Sequence, residues 1–216
     1  MKLIERSQLL GREQPILRPE YGERRLASFC LAYPEVEVEI AVSKEVVDLA
    51  AEGFDAGIRL GQLVAADMVA VPMTPPFRLV VVGSPSYFSG HKRPRHTDDL
   101  RQHACLRWRR STGAIASWSF NDDGHTTEIA VSGPLIASDF PTMLGAAMEG
   151  IGLAQLPEPM VSDAVKAGKL VHVLDAYAPM LPGVFLCYPS RRQIMPKLRA
   201  FIDHVKSHRP GGGKAR

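Results

Sequence analysis

The 216-residue sequence has little of several features that mark particular classes of protein. Its three cysteines, Cys30, Cys105 and Cys187, are far apart and odd in number, so they predict neither a disulfide framework nor a metal site. No stretch approaches the ~18 consecutive apolar residues that a membrane helix needs. The first residues include Lys2, Glu5 and Arg6 and no long apolar run, so they do not predict a signal peptide. These absences predict a cytoplasmic protein with reduced thiols and no membrane partner.

Motifs of catalysis and of cofactor binding are absent as well. The sequence contains no Gly-x-Ser-x-Gly elbow, no phosphate-binding Gly-x4-Gly-Lys-[Ser/Thr] loop and no His-Glu-x-x-His zinc motif. Gly150-x-Gly152 lacks the third glycine of the dinucleotide fingerprint. We therefore expect no catalytic residue, no cofactor and no bound metal, and we do not expect an enzyme.

The composition is that of a globular protein, with 45% hydrophobic and 23% charged residues. A net charge of +3 is mild, and the basic residues are scattered along the chain apart from a few short clusters. One of them is the loop His91–His96, which we interpret as a solvated basic loop. This charge balance does not by itself indicate nucleic-acid binding.

Helix and strand patterns alternate along the chain. Glu23–Tyr33 places apolar residues at helical spacing. Val36–Val42 alternates strictly, and its two glutamates favour a sheet edge or a surface that meets another subunit. Arg78–Gly83 holds a continuous apolar run typical of a buried central strand. Further predictions are strands at 68–72, 152–156, 170–174 and 184–188, a hairpin around 122–124, and helices at 142–149, 160–167 and 196–207. The pattern predicts an α/β protein with largely parallel sheets.

The stretch Gly53–Gly61 combines small residues with an alternating pattern and predicts a short strand after a helix that ends at Gly53. The strand carries Arg59 near its carboxyl end, the edge that faces the ligand crevice in open α/β sheets. An arginine there suits a carboxylate or a phosphate. The alternative is an ion pair with a structural carboxylate such as Asp55.

Three more polar residues lie where a predicted strand ends and a helix begins, namely Ser43, Ser138 and Asp139. Helix amino termini present free N–H groups that favour anions. The alternative is that all three are ordinary helix caps, Ser43 for a helix over 44–52. Asp139 also brings negative charge, which favours a ligand with a hydroxyl or an amine, or a neutral ligand.

Several short strings around the Gly53–Gly61 strand carry a family resemblance. Tyr33-Pro34-Glu35-Val36-Glu37-Val38 precedes the strand, and Gly83-Ser84-Pro85-Ser86-Tyr87-Phe88 follows it. Further strings are Asp98-Asp99-Leu100, His103-Ala104-Cys105-Leu106, Gly150-Ile151-Gly152-Leu153-Ala154, Leu156-Pro157, Gly168-Lys169-Leu170-Val171 and Tyr188-Pro189-Ser190-Arg191-Arg192. In order and spacing, from Ile16 to His208, the sequence resembles the effector-binding domain of LysR-type transcriptional regulators.

The resemblance implies two Rossmann-like lobes of the type 2 periplasmic-binding-protein kind, joined by two crossover segments with a ligand cleft between them. Lobe 1 would comprise 15–83 and 184–208, and lobe 2 would comprise 84–183. Residues 1–14 would be a linker remnant or disordered, and 209–216 a disordered tail. Carried over by position, the family's effector contacts fall on Ser43, Arg59, Ser84, Ser138 and Asp139. Trp108, at a strand end, is a further candidate, with a role in the core as the alternative.

The function implied is the sensing of a small-molecule effector, such as a small organic acid, through movement of the lobes. The resemblance also implies a homodimer or tetramer built through the Glu23–Tyr33 helix and the Val36–Val42 strand. DNA binding would require a winged helix-turn-helix, and Met1–Gln14 is too short to hold one. The alternatives are a stand-alone solute-binding protein of a transporter and an α/β enzyme.

Overall fold

We describe a computed structural model that covers residues 1–6, 23–43, 49, 51, 53–61, 66–110, 112–190 and 194–207. The described residues divide into two compact units. The first holds the described parts of Met1–Ser7, Leu17–Pro76 and Pro182–Arg216, and the second runs from Phe77 to Leu181.

The strands, in chain order, are β1 (Lys2–Arg6), β2 (Glu39–Ser43), β3 (Ala56–Leu60), β4 (Met68–Pro72), β5 (Phe77–Gly83), β6 (Arg107–Trp108), β7 (Trp118–Asp122), β8 (His125–Ile129), β9 (Ile136–Ala137), β10 (Ala154–Pro157), β11 (Val171–Val173), β12 (Met180–Leu181) and β13 (Val184–Pro189). The α-helices are α1 (Glu23–Ala32), α2 (Pro85–Gly90), α3 (Phe140–Met148), α4 (Glu158–Lys166) and α5 (Pro196–Ser207). Two 3-10 helices lie at Thr97–Gln102 and Asp175–Tyr177. Among the described residues, no helix has the length and apolar character needed to cross a membrane.

The first unit is built on a five-stranded sheet in the order β2-β1-β3-β13-β4. Strands β1, β2 and β3 are parallel, and β13 runs antiparallel to both of its neighbours. Helices α1 and α5 pack together through Phe29 and Phe201, whose rings meet edge to face with centroids 5.0 Å apart. The prediction that the strand after Pro34 lies at a sheet edge is confirmed, although β2 begins at Glu39 rather than at Val36.

The start of the chain corrects one prediction. We expected a linker remnant or disorder over Met1–Gln14, but Lys2–Arg6 forms β1, inside the sheet between β2 and β3. Backbone pairing on both sides stabilises a strand that the short local pattern does not reveal. Residues 7–14, the lobe start at 15–22, most of the predicted 44–52 helix and the 209–216 tail lie outside the described residues.

The second unit is organised around β5, which pairs antiparallel with β10, β11 and β12. A parallel bridge between Cys105 and Leu153, with the Leu106 amide donating to the Leu153 carbonyl at 2.8 Å, links β10 to the parallel pair β6–β9. The buried apolar run of β5, with Val80 and Val82 fully enclosed, supplies the centre of this sheet. The main sheet of each unit therefore contains a strand that runs antiparallel to its neighbours, β13 in the first unit and β5 in the second.

The boundary between the units differs from the predicted one. We expected the first crossing near Gly83–Ser84, but it falls between Pro76 and Phe77, and the return falls between Leu181 and Pro182. The physical reason is that β5 pairs with β10, β11 and β12, which all belong to the second unit. An apolar run predicts that a strand is buried, but not which sheet buries it.

The predicted hairpin is confirmed as β7–β8. Asp123 and Gly124 form its turn with positive φ angles of 45° and 83°, as a two-residue hairpin turn requires. Gln155, a residue of β10, binds the hairpin through two hydrogen bonds to Ser119. Its Oε1 accepts from the Ser119 amide at 3.1 Å, and its Nε2 donates to the Ser119 carbonyl at 2.7 Å. A buried side-chain amide thus takes the place of a neighbouring strand.

Candidate functional site

The first unit places two of the predicted residues at the same level of its sheet. Ser43 is the last residue of β2 and pairs with Arg6 of β1. On the other side of β1, Glu5 pairs with Ile58 of β3, so the next residue of β3, Arg59, lies opposite Arg6 as well. Two strand spacings separate the backbones of Ser43 and Arg59, roughly 10 Å. Both residues lie at the carboxyl ends of parallel strands, where ligands of open α/β sheets bind.

Arg59 is a buried cation, with a residue exposure of 4%. Its Nη1 donates to the Met68 sulfur at 3.5 Å, and its backbone pairs with Phe185 of β13. Met68 pairs with Pro189, four residues along β13 from the Arg59 partner Phe185, so the guanidinium reaches from the end of β3 toward the start of β4. A charge in such surroundings is strongly coupled to any anion that reaches it.

The second unit brings together Trp108, Ser138 and Asp139. Trp108 ends β6 and pairs with Ala137 of β9, and Ser138 and Asp139 follow directly after β9. Asp139 caps α3, because its Oδ1 accepts from the Thr142 amide at 2.8 Å. The helix begins at Phe140, two residues earlier than predicted. These three residues share the carboxyl edge of the parallel strands in their sheet.

Trp108 is half-buried between two neighbours. Its ring lies 5.5 Å from the ring of Phe140, measured between centroids, and the Arg110 guanidinium carbon lies 5.8 Å from its ring centre. Its indole Nε1 is buried and has no hydrogen-bond partner among the described residues. Because a buried N–H without an acceptor is costly, this donor is suited to a ligand oxygen.

Ser84 does not join this group. It follows the carboxyl end of β5, the antiparallel strand, so it lies at the opposite edge of the sheet from Trp108. According to the strand register, Ser84 and Trp108 are about four residues apart in the strand direction, which is roughly 13 Å. Its buried hydroxyl accepts from the Tyr87 amide at 3.2 Å and lies 2.8 Å from the Ser86 hydroxyl. Ser84 therefore acts as a helix cap.

Sequence reasoning missed a charged cluster at the same edge as Trp108. Arg78, at the start of β5, donates to Glu158 through Nε (3.2 Å) and Nη2 (2.6 Å) and lies 3.4 Å from Asp175 through Nη1. His172 Nδ1 contacts the same Asp175 oxygen at 3.2 Å. The hydrogen bond from Arg78 lowers the pKa of Glu158. The sequence did contain a signal for this cluster: Arg78 lies at the start of an apolar strand, and an arginine in that position predicts a nearby carboxylate partner.

No group of three or more metal-ligating side chains occurs in the part of the chain that the structure describes. The polar side chains of the two units instead comprise two hydrogen-bond donors, Arg59 and Trp108, and one ion pair, Arg78 with Glu158. This chemistry suits binding of an organic ligand.

Comparisons with known proteins identify the family to which the chain belongs. Residues 23–210 match the LysR substrate binding domain family. The uncharacterized HTH-type transcriptional regulator YcaN of Escherichia coli K12 is 36% identical over 182 residues, which are 84% of this chain and 59% of the relative. The HTH-type transcriptional regulator PgrR of the same organism is 34% identical over 182 residues, 84% of this chain and 61% of the relative. The chain thus spans about three fifths of the length of these relatives.

Among solved structures, the regulatory domain of AphB from Vibrio vulnificus superposes with a TM-score of 0.77 at 22% identity. The match covers 96% of this chain and 98% of that one, and it confirms the predicted α/β fold of the type 2 periplasmic-binding-protein kind. The relatives are transcriptional regulators, rather than solute-binding proteins of transporters. The chain belongs to the LysR substrate binding domain family.

Proposed function

We propose that this chain is the effector-sensing part of a cytoplasmic transcriptional regulator and that its effector is a small organic acid. The observation that carries the proposal is the shared level of Ser43 and Arg59 at the carboxyl ends of β2 and β3. The fork of donors in an arginine side chain matches the geometry of a carboxylate, and in this proposal Arg59 turns its guanidinium to the bound acid. In this proposal the ligand changes the balance between two conformations of the regulator because it binds one of them more tightly.

The second unit, taken by itself, also presents groups that suit a ligand in this proposal. The buried Nε1–H of Trp108 donates to a ligand oxygen, and the rings of Trp108 and Phe140 favour a ligand with a flat apolar part. Asp139 uses one carboxylate oxygen for its cap and keeps the other for a ligand hydroxyl or amine. An acid that also carries a hydroxyl or an amine fits this set of groups.

The test is thermal unfolding of the purified chain against a panel of small organic acids. An effector at ~100 times its dissociation constant adds roughly 2.7 kcal/mol to the free energy of unfolding. Trp108→Phe keeps an aromatic ring beside Phe140 but removes the indole donor. Loss of that bond weakens binding about tenfold. Arg59→Gln tests the first unit by itself, because it removes the guanidinium charge, and we expect it to weaken binding of an acid at least about tenfold.

Trp118→Phe is the matched control, because it makes the same substitution at a buried tryptophan of β7. We expect it to change the melting temperature of the free protein and to leave the affinity for the effector unchanged. An effector whose affinity is unaffected by both Arg59→Gln and Trp108→Phe would contradict the proposed site. An equal loss in Trp118→Phe would show that the variants act only through stability.

We further propose that the regulator is a homodimer assembled through α1 and β2. Strand β2 is the outermost strand of the first sheet in the described part of the chain. Leu31 on α1 is 84% exposed, and Ile40 on β2 is 44% exposed. Large apolar side chains on one helix and one neighbouring edge favour a self-complementary contact between two copies.

Analytical ultracentrifugation of Leu31→Glu and Ile40→Glu tests this contact. A buried charge at a two-fold interface occurs twice, so each variant shifts the protein toward the monomer. Ile115→Glu, on a 41% exposed residue of the second unit, is the control and leaves the dimer intact. A dimer that survives both α1 and β2 variants would refute this interface. DNA binding, in this proposal, belongs to the part of the relatives that this chain does not span.

A further inference from the structure

A pocket of about 780 Å³ lies within the second unit, in the loop that follows α2. We call it the basic pocket, and it is lined by Gly90, His91, Lys92, Arg93, Pro94, Arg95, Asp99, Gln102 and His103. Its volume falls in the range of small-molecule sites. The pocket thus gives a concave shape to the His91–His96 segment, which by its sequence alone is a solvated basic loop.

The charge of the basic pocket is strongly positive. Lys92, Arg93 and Arg95 are all exposed at its wall, and the guanidinium of Arg93 lies 5.5 Å from the ring centre of Phe88. The one carboxylate, Asp99, is already engaged: its Oδ2 accepts from the backbone amides of Arg95 at 2.8 Å and His96 at 3.0 Å. Those hydrogen bonds lower the pKa of Asp99. The three cations therefore keep their positive potential.

Hydrogen bonds at the back of the pocket fix the protons on its two histidines. The Tyr87 hydroxyl accepts from the Ala104 amide at 3.0 Å, so its own proton is directed to His103 Nδ1 at 3.1 Å. Neutral His103 therefore carries its proton on Nε2. His91 stacks on the Tyr87 ring at 4.2 Å, and its Nδ1 donates to the Tyr87 carbonyl at 2.9 Å. Both imidazoles are positioned by Tyr87, with the Nε2 atom of each free of these bonds.

We propose that the basic pocket is a second ligand site, separate from the effector site, that binds a small polyanion through a phosphate group. Arg93, Arg95 and Lys92 neutralise the phosphate charge, and His103 donates its Nε2–H. A pocket of about 780 Å³ matches the size of a small phosphorylated molecule, whereas a DNA duplex presents its phosphates along an extended backbone. Nothing in this inference depends on the effector site.

Binding at this site is coupled to pH through His103. Burial, and secondarily the charge of His91, lowers the pKa of His103, so this residue is neutral in the free protein near pH 7. The groups that face it are Tyr87, His91 and Asp99. A bound phosphate favours the charged imidazole and raises its pKa, so by linkage the affinity increases as the pH falls.

The experiment is calorimetric titration of the full chain with inorganic pyrophosphate, with ionic strength held constant by potassium chloride. The double variant Arg93→Gln/Arg95→Gln removes two cations from the pocket and weakens binding about tenfold or more. Lys166→Gln/Lys169→Gln, at the end of α4, is the matched control, because it removes the same charge outside the pocket. We expect less than about a twofold change in this control.

A second measurement follows the imidazole of His103 by NMR. Pyrophosphate raises its pKa in the wild-type chain, and His103→Gln, which keeps a donor near the Nε2 position, weakens the pH dependence of the affinity. Equal weakening in the two double variants, or an unchanged pKa of His103, would show that the anion acts only through general charge. A DNA duplex that binds more tightly than pyrophosphate through the same arginines would overturn the small-molecule assignment.

Discussion

Gly152→Ala is the substitution that most directly tests how the second unit is built. Gly152 lies just before β10, and a Cβ atom added there would stand 2.3 Å from the Ala104 carbonyl oxygen and 3.0 Å from its carbon. That oxygen accepts from the Leu153 amide at 2.8 Å. The clash is with backbone, so it cannot be relieved by rotation of a side chain. The two segments must separate, and the link between β10 and β6 is strained or lost.

The cost has two parts. Overpacking at a tight contact destabilises by roughly 1–3 kcal/mol, and loss of the Leu153–Ala104 hydrogen bond adds about 1 kcal/mol. A total of about 3 kcal/mol lowers the melting temperature of a chain of this size by roughly 6–12 °C. Differential scanning calorimetry measures this shift. The Trp108 edge depends on the same strand pair, so the affinity for an effector decreases together with stability.

Gly145→Ala supplies the matched control, since it makes the same chemical change in the same unit. Gly145 lies inside α3, and a Cβ atom there meets no neighbour within 4 Å. Alanine in a helix interior is favoured over glycine by roughly 0.5–1 kcal/mol, so this variant melts higher by about 1–4 °C. If the two variants melt at the same temperature, or if Gly152→Ala melts like the wild type, the packing argument is wrong.

Two further predictions concern titratable groups. Burial raises the pKa of the Cys105 thiol to about 12 and that of the Cys187 thiol to about 11, whereas Cys30 is exposed. A thiol reagent applied near pH ~8 should therefore label only Cys30 in the folded chain and all three cysteines after unfolding. Mass spectrometry of the labelled protein measures this difference. The pKa of Glu158 is lowered by Arg78, so this ion pair stabilises the fold above the ordinary value of 4.5 and ceases to do so as the pH falls through the lower folded value. Urea unfolding of Arg78→Gln should accordingly show a weaker loss of stability on acidification than the wild type.

The sequence was informative where local pattern and burial agree. The turn at Asp123-Gly124 and the helix Pro196–Ser207 were predicted correctly, because turn chemistry and helical spacing are local properties. The strand Lys2–Arg6 was missed because only its partners, distant along the chain, make it a strand. The same limit applies to the assignment of β5 to the second sheet.

For the candidate site, the sequence indicated which strand ends carry polar residues, but not the direction of each strand. Trp108 and Asp139 share an edge because β6 and β9 are parallel. Ser84 lies at the other edge because β5 runs the opposite way, a reversal that no local motif encodes. Arg78 and Glu158 meet for the same reason, since an antiparallel strand starts where its neighbour ends.

The β7–β8 hairpin offers a practical attachment point for a reporter. Its inner face is anchored by Trp118 and Phe120, which are buried, and its base is held by Gln155. The tip at Asp123 and Gly124 is exposed, and its turn is formed by the hairpin alone. A fluorophore or a short peptide inserted at this tip would therefore leave both sheets undisturbed. Such a labelled chain would allow ligand screening by fluorescence, without mutation at any residue proposed to contact the effector.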